Sequence, residues 1–156
     1  MTSEQKNQIL ELTGRKLSST EFAEKYPNLV DRKYLLSEIE TAISNKDHES
    51  IEYLIYLIDF FPEQIKPQIL SDLIALPWHF MHESLIAYIQ HDYPDKFIPN
   101  NIGIAIFHSY PYMDMNDYSN YIRNCILVLK KSKLEGVKDV LEKIKNSDNA
   151  FLKEYI

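Results

Sequence analysis

Glycine is scarce, with three in 156 residues. Neither GxGxxG nor GxxxxGK[ST] occurs, which argues against the nucleotide sites built on those loops. Few glycines also means few tight hairpins. A single cysteine, Cys125, rules out an internal disulfide. It lies in the apolar run CILVL and reads as a small core residue. A reactive thiolate needs exposure and positive surroundings instead. No run of 18 apolar residues is present, against a membrane span. The opening stretch MTSEQKNQILELTGRK has neither a long apolar run nor a small-residue cleavage site, against a secretory signal. These absences point to a cytoplasmic protein.

Basic residues are also rare over much of the chain. Residues 34–95 hold 11 acidic residues against Lys46 and Lys66. Such a segment repels a phosphate backbone and attracts a basic partner, although it also suits a plain solvated surface. From residue 130 onward seven lysines are mixed with five acids. That mixture reads as solvated helix rather than a nucleic-acid patch.

What the chain does have is helical periodicity and a 45% apolar content. YLLSEIETAI places Leu35, Leu36, Ile39 and Ile43 on one helix face. IEYLIYLIDFF is apolar almost all round, so it should be covered on more than one side. Prolines 62, 67, 77, 94 and 99 break the pattern. The spacing predicts helices over 3–12, 19–26, 31–45, 47–61, 65–76, 80–91, 100–108, 116–132, 134–146 and 150–155. The fold class is all-α, and the length suits one domain over residues 1–156.

Two stretches repeat: HESIEYLI from His48 and HESLIAYI from His82, 34 residues apart. A further 34 residues leads to NDYSNYIRNCI, again a helix start. Each is followed by a second helix. Three helical hairpins at a near-constant period, plus N-terminal helices, predict an α-solenoid, since stacked hairpins bury faces that one alone cannot.

The stretch Trp78-His79-Phe80-Met81-His82-Glu83 carries the densest functional chemistry. His79, His82 and Glu83 could converge on a metal. The zinc-protease order, however, is HExxH, with histidines four apart and the glutamate beside the first. Here the histidines are three apart and the glutamate follows the second. The favoured reading is structural: Trp78 fills a seam between repeats and the imidazoles bond carbonyls or carboxylates. No catalytic, metal-binding or cofactor-binding residue is assigned.

Residues 108–121, HSYPYMDMNDYSNY, gather Tyr110, Tyr112, Tyr118 and Tyr121 with Asp114 and Asp117. Tyrosine is common at interface hot spots. Two readings stand: a binding loop, or tyrosines packed in the fold beneath a solvated loop. The candidate partner-binding residues are Tyr110, Tyr112, Asp114, Asp117 and Tyr118, with Asp59 and Glu63.

The WHxxHE stretch and the helix after it resemble a family of small bacterial HEAT-repeat domains. LSSTEFAEKYP, AISNKD and YIRNCILVLKK fit the same pattern over roughly residues 17 to 144. Ser84 stands where the family often has an acid, and the 108–117 loop is distinctive. The resemblance implies a HEAT-like α-solenoid without enzymatic activity. It also implies an immunity protein of a polymorphic or contact-dependent growth-inhibition system. Its partner would be a cognate protein toxin, often a nuclease; the acidic charge points to a basic one and, with the missing apolar span, speaks against direct contact with nucleic acid or membrane. The alternatives are an adaptor for another protein and a small HEAT-like enzyme.

Overall fold

The computed structural model describes residues 1–156 and contains ten α-helices, one 3₁₀ turn and no strand. Each of the ten segments expected to be helical contains a helix, with bounds that differ by up to a few residues. No helix is long and apolar enough to cross a membrane. The chain divides into two compact units, one of Met1–Lys66 with Trp78–Phe80 and one of Pro67–Pro77 with Met81–Ile156.

The first unit holds α1 (Ser3–Thr13), α2 (Ser19–Lys25), α3 (Arg32–Asn45) and α4 (His48–Tyr56). Their starts are set by side chains that accept orphan backbone N–H groups. Thr2 with Gln5, and Ser18 with Glu21, form reciprocal capping boxes. Asp31 caps α3, and Asp47 caps α4 by accepting from the Ser50 amide and hydroxyl at 3.0 and 2.6 Å. Helix α4 packs on α1 and α3. Its apolar residues Ile51, Leu54 and Ile55 are fully buried.

The helix expected over 47–61 ends early. At Leu57 the hydrogen bonding tightens from the α pattern to Leu57 N–H onto Leu54 O, and Ile58–Phe60 form a 3₁₀ turn. Pro62 bars any continuation past this turn: the residue before a proline is driven out of the helical region, and Phe61 is extended, with ψ of 150°. Leu57, Ile58 and Phe61 stay buried all the same.

The second unit holds α5 (Lys66–Ile74, from Pro67 onward), α6 (His82–Asp92), α7 (Pro99–Ile106), α8 (Met115–Lys131), α9 (Val137–Lys145) and α10 (Ala150–Lys153). Helix α6 packs on α8. Helix α7 packs on α8 and α9, α8 packs on α9, and α10 closes on α9. Buried Ser71 of α5 accepts the Ile98 amide at 3.0 Å, and Asn101 of α7 donates to Ser71 O and to Asp72, both at 3.0 Å. Helix α7 has no side-chain cap of its own, so Ser71 meets an amide at its start.

The long helix α8 points Tyr121, Ile122, Cys125, Ile126, Val128 and Leu129 into the core. Gly103 lets α7 and α9 approach closely: a Cβ there would sit 2.9 Å from Val140 Cγ1. Gly136, with φ of +85°, adopts at the start of α9 a backbone that L side chains rarely take.

Candidate partner-binding loop

The WHxxHE stretch parts between the units: Trp78, His79 and Phe80 belong to the first, Met81, His82 and Glu83 to the second. The fully buried positions are His79 and His82, not Trp78, whose indole is only half-buried. The full burial expected of the tryptophan is found at the two imidazoles instead. An indole is too large for full enclosure at most sites, whereas an imidazole can be enclosed if its nitrogens are bonded.

His82 shows how this is done. Its Nε2 lies 2.9 Å from Leu76 O, and its Nδ1 lies 2.8 Å from the Tyr112 hydroxyl. A carbonyl oxygen can only accept, so Nε2 carries a proton. In the neutral ring Nδ1 then accepts from the Tyr112 O–H. His82 sits at the first turn of α6, which has no side-chain cap. Burial pushes the ionisation of the Tyr112 hydroxyl well up, against the opposing pull of the His82 backbone N–H. One tyrosine thus holds a buried imidazole at the first turn of α6. His48 begins α4 at the equivalent place, but it is exposed and rests against Phe80 at 4.7 Å between ring centroids.

The segment between α7 and α8 is held by its tyrosines. Tyr110, proposed above as a binding residue, is buried, and its O–H donates to Ala105 O at 2.9 Å. Its ring lies 4.1 Å from the His82 ring and edge-on to Tyr121 at 5.4 Å. Tyr118, half-buried, donates to His108 O at 3.2 Å and stacks on Phe151. Tyr121 is fully buried, with its hydroxyl in no hydrogen bond of ordinary geometry. Burial also pushes the Cys125 thiol up to about 12, which suits a core residue and not a nucleophile.

The acids face outward. Asp114 caps α8: its Oδ1 accepts the Asn116 and Asp117 amides at 2.7 and 2.9 Å. Asp117 lies in the first turn of α8 and Glu83 in the first turn of α6, where the helix dipole favours a carboxylate. The Glu83 carboxyl is nevertheless held above its ordinary value, first by desolvation and then by Asp117 and Asp114. Asp59 and Glu63 are exposed on the first unit, with Glu63 3.0 Å from Lys66 Nζ.

Sequence reasoning passed over Met115 as a surface feature, yet it is 71% exposed, and Tyr112 is 37% exposed. A thioether between acids, in MDMND, was the available signal. Together with Pro111 and Met113, Met115 borders a cavity of about 490 Å³ beside Tyr110 and Tyr118. No group of three or more His, Cys, Asp or Glu side chains is placed to hold a metal ion.

No protein-family model, curated protein or solved structure matches the chain.

Proposed function

We infer that this chain is an immunity protein. It binds a cognate protein toxin, a basic nuclease domain, and blocks its active site or substrate groove. The observation that carries this reading is the loop ahead of α8. Its hydroxyls are tied to Ala105, His82 and His108, while Asp114, Asp117 and Met115 stay exposed. A surface fixed before the partner arrives loses little entropy on binding, and so keeps more of its contact energy as affinity.

Charge supports the choice of partner. The acids of the loop join the 11 acidic residues of 34–95 in repelling nucleic acid and drawing in a basic protein. The HEAT-like solenoid reading is supported by two features. First helices of the three hairpins begin at His48, His82 and Met115, at spacings of 34 and 33 residues. Within the second unit, first helix packs on first helix (α6 on α8) and second on second (α7 on α9), as stacked hairpins require.

The test is co-expression with the product of the neighbouring reading frame. Tagged chain is expected to retain that product through purification and to restore growth to cells that make it. Growth arrest unchanged by the chain, with no complex formed, would remove the immunity reading.

A further inference from the structure

The cavity ahead of α8 has a specific chemical character. Besides Ser109 and Asp114, its lining residues are Tyr110, Pro111, Met113, Met115 and Tyr118, and of the two tyrosines Tyr118 is the more exposed. Asp114 is the one charged residue among those that line it. An apolar pocket with one carboxylate suits a cation carried on an apolar stem. Helix capping uses Asp114 Oδ1 for both amides, so Oδ2 remains for a second bond. Asp117 and Glu83 are the neighbouring charges, and both are negative.

We propose that this cavity receives an arginine side chain of the protein partner, with the guanidinium on Asp114 and its stem against Tyr118, Pro111 and the methionines. Planarity decides for arginine over lysine. A guanidinium lies flat on an aromatic face while it donates in its own plane to a carboxylate, and it is more weakly hydrated than an ammonium. Methionine in the lining adapts to the stem because it is unbranched and polarizable. The proposal rests on the reading of this loop as a partner surface and names the group that the surface recognises.

The experiment needs no toxin. The chain has four methionines, Met1, Met81, Met113 and Met115, of which the last two line the cavity. With their methyl groups labelled with carbon-13, the protein is titrated with the blocked tripeptide acetyl-Gly-Arg-Gly-amide. The citrulline and lysine counterparts and spermidine are titrated in parallel. Saturable shifts are expected at Met113 and Met115, with Met1 and Met81 unmoved. The citrulline peptide, which keeps the shape and loses the charge, is expected to bind at least about tenfold more weakly. Asp114→Asn is expected to weaken the arginine peptide by about tenfold with the melting temperature unchanged, because asparagine caps helices as well as aspartate does.

Absence of a saturable shift, equal binding of the citrulline or lysine peptide, tighter binding of spermidine, or an indifferent Asp114→Asn would each overturn the proposal. The two readings separate cleanly. Peptide bound without any toxin complex sustains the pocket and removes the immunity role. A toxin complex with no peptide shift does the reverse.

Discussion

His82 is fully enclosed, yet its two nitrogens each meet a protein group, Leu76 O and the Tyr112 hydroxyl. The residue was conspicuous in the sequence. Its partner was not, because a bond between positions 82 and 112 leaves no local pattern. Tyr112→Phe removes the hydroxyl while keeping the ring. The buried Nδ1 loses this partner, so unfolding should become easier by about 1–3 kcal/mol, read from urea denaturation. A loss under about 0.5 kcal/mol would mean that the bond contributes no more than an exposed contact. Cys125, by contrast, was legible as core from its apolar run, and it is fully buried. Its thiol is raised from 9.0 to about 12, and the Tyr34 hydroxyl from 10.0 to about 12. Both keep their protons in the folded chain at a pH where the unfolded chain releases them. Their contribution is therefore intact below pH 9.0 and is lost as pH climbs from there to about 12. The urea midpoint should fall over that window, and less steeply in Cys125→Ala. An identical decline in that variant would show that the thiol has no part in it.

Helix positions were readable because caps and prolines leave local marks. Asp31, Asp47 and Asp114 each precede a helix and each accept its first amides. The early end at Leu57 left no mark: an apolar run with no internal breaker looks like a continuous helix, and Pro62 marks only the stop at Phe61. The HES repeat located two helix starts at the residue. It did not reveal that Asp47 caps one while the Tyr112 hydroxyl stands at the other. Packing between helices was the least legible level. Gly103 in IGIAIF gives no sign that it faces Val140. Alanine there gains up to about 1 kcal/mol of helix propensity, but overpacking a stiff β-branched neighbour costs about 1–3 kcal/mol. With the new Cβ 2.9 Å from Val140 Cγ1, the clash should win and Gly103→Ala should be destabilised. Val140→Ala should relieve it, so the double variant loses less than the two single losses combined in urea denaturation. Strict additivity would show that the two helices do not meet through these side chains.

At the scale of the whole molecule, charge is what the sequence showed plainly: a formal −6 with the acids concentrated before residue 96. The loop was half legible. Its tyrosines and acids stood out, but Tyr110, Tyr112 and Tyr118 each tie it down through a hydroxyl, while Asp114, Asp117 and Met115 face outward. Polarity alone does not separate a tyrosine that binds a partner from one that fixes a loop, since both use the same hydroxyl. On the function we propose, this surface captures a basic toxin by electrostatic attraction. The most direct test is the association rate with the product of the neighbouring reading frame, followed by stopped flow from about 50 to about 500 mM salt. The rate should fall steeply across that range, and the slope should flatten in a variant carrying Glu83→Gln, Asp114→Asn and Asp117→Asn. A rate indifferent to salt, or a slope unchanged in that variant, would contradict the claim.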